Sequence, residues 1–531
     1  MTFLPIVDRE LRVAARRKST YRMRTWTVVV ALVLGCFSLF PVMLMRGPGG
    51  VGKPFYTTLT GFAFGLCLLA GALLTADCLS EEKRDGTLGF LFLTDLKGYD
   101  VVLGKFMAMS LSAIYGLLAV LPITGLSLLL GGLTGGEFWR MTLALFNALF
   151  FSLATGILVS AIGRDSQRVM GGTLGLVILV AGGLPALVKA GLAMGVPAGW
   201  ECLAWISPYY AFGKALEPMY LWRPAVYWWA LLASQLFGWC LLAMASLALP
   251  HRWQERRGGV ERVSVLTQWP RRRGKGATER ARAREELLPV NPVLWLMSNG
   301  PDLRRIAWVI VWVWGAVVLL VTLLAPREIG GFALGWYGVR PFGFLLKWLL
   351  ALQACRFFIE ARRNGALEML LCTPLTSRDI LGGQILALRK NFLWPIVWLL
   401  ALLFVPVVVQ VVATRAWNTP EMGTAFMGFV ASGFCCLRMY ADCYAVIWFG
   451  MWLALTLKKP GLAPSLTVLF VLVLPSMLCV LDVFADLFFI LWGMTKLRHH
   501  DLRLVLARQL ETGGAAALSS RKQSSLLVGR R

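Results

Sequence analysis

Charge is what this sequence has least of. Only 15% of its 531 residues are Asp, Glu, Lys or Arg, where a soluble domain carries roughly 25%. Acidic residues are the scarcer kind, 28 against 53 basic ones, which leaves a net charge of +25. Histidine is nearly missing: His251, His499 and His500 are the only three, and they hold no metal-ligand spacing. The eleven cysteines include no CxxC and no Cys–His spacing, and Cys435 and Cys436 are adjacent. Most fall inside apolar stretches, so they read as reduced thiols acting as small hydrophobes; a metal or disulfide framework is not expected. The opening MTFLPIVDRELRVAARR lacks a signal peptide's order, because its charges follow its short apolar part. Nor is there a cluster of His, Asp or Glu at one end of the apolar segments, as a membrane-embedded transferase would need.

What the chain has is hydrophobicity, 58% of its residues and a mean hydropathy of +0.67. The apolar residues fall in runs long enough to cross about 30 Å of hydrocarbon. The basic residues fall in short stretches between those runs. That is the positive-inside pattern of a polytopic membrane protein, so nucleic acid is not the expected partner.

Residues 3–24 come first. Leu4, Val7, Leu11 and Ala14 share one helical face and Arg9, Arg12 and Arg16 the opposite one. This predicts an amphipathic helix on the inner membrane surface, a solvated cytosolic lead-in being the alternative. Expected spans follow at Trp26–Met45, Phe55–Cys78, Phe106–Leu130, Phe138–Ile162, Val169–Val188 and Ala225–Leu249. Seven Lys/Arg precede the first span and only Arg46 and Lys53 follow it, which puts the N-terminus in the cytoplasm. Gly47–Pro54, GPGGVGKP, nearly matches a phosphate-binding loop. It lacks the closing hydroxyl, follows no strand and faces outward, so a tight turn is the reading. Gly191–Pro224 is too polar to span and rich in aromatics, and is expected as short helices at the outer interface.

Residues 251–288 hold eleven Lys/Arg and five Glu and form a basic cytosolic linker, either resting on headgroups or solvated. Asn291-Pro292 restarts the pattern with a second interfacial helix. Spans are expected at Ile306–Ala325, Leu334–Phe358, Phe392–Val412, Ala425–Leu457, Leu466–Leu481 and Val483–Lys496. The division is therefore 1–250, first unit; 251–288, linker; 289–500, second and shorter unit; 501–531, a largely disordered cytosolic tail. The fold class is all-α, with about twelve spans in two tandem six-span bundles.

The tandem reading rests on a repeat. Shifted by 279 positions, Glu360–Gln384 lies over Glu81–Lys105 without a gap, with nine identities in 25 positions. They are Glu81/Glu360, Arg84/Arg363, Gly86/Gly365, Leu88/Leu367, Leu91/Leu370, Thr94/Thr373, Leu96/Leu375, Asp100/Asp379 and Gly104/Gly383. Lys83/Arg362, Asp85/Asn364 and Val101/Ile380 are conservative. Asp85-Gly86 and Asn364-Gly365 are turn signals, and the apolar runs LGFLFL and LEMLL after them are too short to span. Thr376 with Asp379 reads as a helix N-cap. Each loop is thus turn, short helix, turn, then the next span. The short helix either packs on its own bundle or docks a soluble partner.

Charges inside spans are functional candidates. Lys347 stands near mid-span with no obvious local partner. Arg438 and Asp442, one turn apart, read as an interfacial ion pair; Asp77 and Arg356 hold matching places near the inner ends of their spans and read as snorkelling.

Each loop resembles the segment after the second span of ABC-2 type transporter permeases, E-x-x-x-G-T-L-E-x-L-L-x-T-P-L followed by Gly-Lys. The first copy keeps Gly86-Thr87-Leu88 and Gly104-Lys105 but has Gly89 and Asp95 where the pattern has Glu and Pro. The second keeps Gly365, Leu367-Glu368 and Thr373-Pro374-Leu375 but has Ala366 and Gln384 for Thr and Lys. The order of interfacial helix, two spans, loop and four spans, with outer re-entrant helices before the sixth, fits as well. The resemblance implies a membrane permease, an exporter, in the bacterial cytoplasmic membrane. It would be powered by separate ATP-binding cassette subunits, two of them, with no cofactor on this chain and ATP used by the partner. It implies contact with those subunits through Glu81, Glu82, Arg84, Gly86, Thr87, Leu88, Glu360, Arg363, Gly365, Leu367, Glu368 and Pro374, with Lys347 on the substrate pathway. The second copy, without outer helices, is expected to be a degenerate partner. The rival readings are a secondary transporter with parallel repeats and a membrane anchor that holds an ATPase without transporting.

Overall fold

The computed structural model describes residues 52–88, 97–163, 166–185, 197–252, 291–298, 303–324, 331–363, 366–414, 422–457, 460–476 and 482–499, with scattered positions elsewhere. The expected helix at 3–24, nearly all of the first span, Gly47–Gly50, most of the linker and the tail lie outside these residues. The chain forms two compact units, residues 1–261 with 472–482, and residues 262–471 with 483–531.

In the first unit α1, Gly52–Ala70, passes through a π-type turn at Gly71–Thr75 into α2, Cys78–Asp85. Then come α3, Gly98–Leu129, α4, Gly135–Ile162, and α5, Ser166–Ile178, which ends in a second π-type turn at Leu179–Gly183. Two short helices, α6, Pro208–Lys214, and α7, Glu217–Trp222, precede α8, Pro224–Arg252. The expected outer segment is therefore helical in short pieces, with Pro208 and Pro218 in the first turns, where a missing N–H costs nothing. The core of this unit is built on α4, the most buried of its long helices, with Phe151, Ala154, Ile157 and Ala161 inaccessible to solvent.

In the second unit α9, Pro292–Ser298, matches the expected interfacial helix. The long helices are α10, Arg304–Leu324, α11, Gly331–Arg363, α13, Ser377–Thr414, and α14, Met422–Thr456, with the short α12, Ala366–Leu371, between α11 and α13. Beyond them lie α15, Ala463–Thr467, a π-type turn at Val468–Val473, and α16, Asp482–His499.

Among the described residues, seven helices are long and apolar enough to cross a membrane. They are Gly52–Lys83, Gly98–Leu129, Gly135–Ile162, Pro224–Pro250, Phe342–Arg362, Ser377–Val409 and Phe426–Thr456. Where the sequence suggested spans at 169–188 and 466–481, the apolar helices are Val169–Gly183 and Ala463–Val473. Residues 186–187 and 477–481 of these suggested spans lie outside the described residues. The helices after both loops also begin earlier than hydropathy suggested, at Gly98 and Ser377 rather than Phe106 and Phe392. The reason is capping. Asp100 accepts the Lys97 N–H at 3.1 Å, and Asp379 accepts the Thr376 N–H at 2.9 Å. The Thr376 hydroxyl in turn accepts the Asp379 N–H at 3.3 Å. A helix whose first donors are satisfied can start in polar sequence.

Candidate functional site

The first loop starts where α2 stops. Gly86 takes φ +72, a left-handed conformation that suits glycine, and its N–H closes on the Glu82 carbonyl. Thr87 is exposed beyond it, and Leu88 turns inward, 2% exposed. In the second loop α12 repeats this arrangement. Leu367, which is Leu88 shifted by 279, is 1% exposed, while Glu368, Pro374 and Met369 face outward, Met369 at 75%. One leucine thus anchors each loop to its own bundle and leaves the neighbouring surface open. Residues 89–96 of the first loop, where its short helix is expected, lie outside the described residues. Gly365 and the side chains of Arg84 and Arg363 lie outside the described residues.

Glu82 is not a surface contact alone. Its carboxylate meets Lys105 at 2.7 Å, with side-chain exposures of 21% and 9%. The second unit has neither charge: Ala361 stands for Glu82, and Gln384 for Lys105. Gln384 donates to the Gln353 and Ala354 carbonyls at 3.4 and 3.2 Å. Both members of the pair differ together, as partners should when an unpaired buried charge is expensive. Glu360 binds Arg356 at 2.7 Å, one helical turn away, and Asp77 accepts from the Ser80 hydroxyl at 2.6 Å.

Behind each loop two long helices run side by side. In the first unit the Ser152 hydroxyl donates to the Leu68 carbonyl at 2.6 Å and accepts the Gly71 N–H at 2.9 Å. Thr75 donates to the Leu153 carbonyl at 3.1 Å, and the Ser160 hydroxyl accepts the Leu79 and Ser80 N–H groups, both at 3.0 Å. Ser152, Gly156 and Ser160 lie four residues apart, so α4 offers one small-residue stripe along which backbones approach closely. A Cβ on Gly71 would overlap the Ser152 carbonyl, and one on Gly156 would overlap the Thr75 hydroxyl. The stripe ends where the Lys83 ammonium donates to the Ala161 carbonyl.

In the second unit Cys355 donates to the Gly450 carbonyl at 3.4 Å. Arg362, the counterpart of Lys83, donates to the Ala454 and Leu457 carbonyls at 2.8 and 3.0 Å. Higher on the same pair of helices the Lys347 ammonium meets the Asp442 carboxylate at 2.5 Å, with side-chain exposures of 15% and 3%. Lys347 therefore has a partner after all, 95 residues away. Asp442, expected in an interfacial pair with Arg438, is buried and serves Lys347.

At the far end of α4 a polar cluster fastens the short helices. Arg140 binds Glu217 at 2.7 Å, donates to the Ala215 carbonyl at 3.4 Å and lies 3.9 Å over the Tyr220 ring. Thr134 donates to Glu217 at 2.7 Å, and the Glu137 carboxylate accepts the Glu217 N–H at 3.3 Å. The Thr134 hydroxyl first, and then Arg140, hold the Glu217 carboxyl below the usual carboxylate range. Burial first, and then the Glu201 carboxylate, push the Tyr210 phenol upward.

Residues 14–218 match the family described as ABC-2 family transporter protein. The match takes in the first loop, the seam between α2 and α4 and the short helices up to Glu217. No curated protein matches the chain. The chain is thus a multi-pass membrane protein similar to ABC-2 family transporters over residues 14–218. Sequence reasoning passed over Lys83 and Arg362, which the structure places against the ends of α4 and α14. The signal was present, a cation kept at one repeat position, but the identical Arg84/Arg363 pair beside it looked stronger.

Proposed function

We propose that this chain is a transmembrane permease component of an ATP-binding-cassette exporter, two ABC-2-like units of six spans each in one polypeptide. Separate ATP-binding subunits dock on the two loops in the cytoplasm and drive it. The observation that carries this reading is the shared loop geometry. Leu88 and Leu367 are buried at matching positions; Thr87 is exposed beside the first, and Glu368, Met369 and Pro374 are exposed beside the second. The ABC-2 match over the first loop supports it.

The test keeps the anchor and changes the surface. Thr87→Arg and Glu368→Arg, singly and together, are introduced into the full chain expressed with its genomic neighbours. The reading expects an ATP-binding subunit that co-purifies with the natural chain and is lost from the double variant. Retention of that subunit by the double variant sinks docking through these loops. The buried Lys347–Asp442 pair favours a second reading, a secondary transporter. Proton- or sodium-driven transport in vesicles free of any ATPase would establish that reading instead.

A further inference from the structure

In both units the hydrogen bonds of the seam join residues at nearly constant sequence separation. In the first unit the separations are 84 for Leu68–Ser152, 81 for Gly71–Ser152, 78 for Thr75–Leu153, 81 for Leu79–Ser160, 80 for Ser80–Ser160 and 78 for Lys83–Ala161. In the second they are 95 for Lys347–Asp442, 95 for Cys355–Gly450, and 92 and 95 for the two carbonyls that Arg362 holds. Partners that advance together along both helices mean that the two helices run parallel and stay side by side from one end of the seam to the other. Each seam closes in the same way. The last carbonyls of a helix have no partner within it and carry the negative end of its dipole. A cation there makes charge-assisted bonds, which are strong where water is scarce. Lys83 and Arg362 supply that cation from the turn of helix that leads directly into the loop.

The first unit carries a further sign. Its loop-bearing helix is interrupted by the π-type turn Gly71–Thr75, a natural place to flex. Bonds from α4 straddle the interruption: Ser152 holds Leu68 before it and Gly71 at its start, and Ser160 holds Leu79 and Ser80 beyond it. A hinge bridged on both sides transmits motion rather than absorbing it.

We infer that Lys83 and Arg362 are coupling residues: each latches its loop to the end of the neighbouring long helix, so that the two helices move as one rod. Displacement of a loop then reaches the middle of the unit. In the second unit that level is the Lys347–Asp442 pair, which lies fifteen residues, or about 22 Å, along the same seam from Arg362. The source of the displacement rests on the docking reading above; the latch itself does not.

Hydrogen exchange separates the two. In the full chain in lipid nanodiscs, Lys83→Met is expected to speed amide exchange at 79–85 and at 158–162 together, by about ten-fold or more. Lys83→Arg is expected to leave both at the natural rate. Arg362→Met and Arg362→Lys should behave likewise at 357–363 and 450–456. Acceleration confined to one helix of a pair, or failure of the cation swap to restore both, overturns the latch. The second arm uses the complex purified with its ATP-binding subunits. ATP is expected to alter exchange at 439–447 in the natural complex, to lose that effect in Arg362→Met with the subunits still bound, and to regain it in Arg362→Lys. An ATP response that survives Arg362→Met overturns coupling through Arg362. If no ATP-binding subunit joins the natural chain, the docking reading falls, and the first arm still decides the latch.

Discussion

The Lys347 ammonium lies 2.5 Å from the Asp442 carboxylate, and both are largely shut away from solvent. Removing one partner leaves an uncompensated charge among apolar helices. Lys347→Met or Asp442→Asn alone should therefore destabilise the second unit by about 3–5 kcal/mol, whereas Lys347→Met with Asp442→Leu should recover most of the loss. Unfolding of the purified chain in micelles measures this. Equal losses from the single and double variants would show that the two groups do not work as a pair.

The Lys105–Glu82 pair invites a transplant from the second unit. Glu82→Ala alone takes the carboxylate from a lysine 9% exposed and should cost about 3 kcal/mol. Adding Lys105→Gln recreates the Ala361 and Gln384 pairing and should restore most of the stability. The thermal midpoint of each variant in the same detergent reads the result.

Close backbone approach makes the small-residue stripe intolerant. Gly71→Ala puts a methyl into the Ser152 carbonyl and should cost about 1–3 kcal/mol or block folding. Gly61→Ala meets nothing within 4 Å and should be neutral or slightly stabilising. Yield of monodisperse protein and thermal midpoint distinguish them.

The cluster around Glu217 should hold at neutral pH and open in acid. Its carboxyl titrates lower in the folded chain than in the unfolded one, because the Thr134 hydroxyl and then Arg140 favour the charged form. A depressed carboxyl contributes stability above its unfolded value, about 4.3, and loses it as pH falls through the folded value. Proteolysis at residues 197–223 should therefore stay slow down to that range and accelerate below it. In Glu217→Gln the acid-dependent step should disappear.

Much of the fold was legible in one dimension. Apolar runs located the long helices, and Asp85-Gly86 marked the end of α2, because only glycine enters the left-handed region without strain. Thr376 and Asp379 marked the start of α13. The short α12 was visible as an apolar run too brief to span. The suggested spans 169–188 and 466–481 contain π-type turns at Leu179–Gly183 and Val468–Val473, which a window average does not register. The partner of Lys347 was out of reach, because the register between α11 and α14 depends on the length and path of everything between them.

Sequence alone determined that this chain lives in a membrane, that one loop occurs twice, and which loop positions are kept. Those are properties of composition and of self-similarity, and they need no coordinates. Tertiary structure decided which face of each loop is buried, that Lys83 and Arg362 close their seams on helix ends, and that Asp442 belongs to Lys347. In an apolar surrounding a polar group must find its partner within the protein, and which partner it finds is set by how helices distant in sequence align.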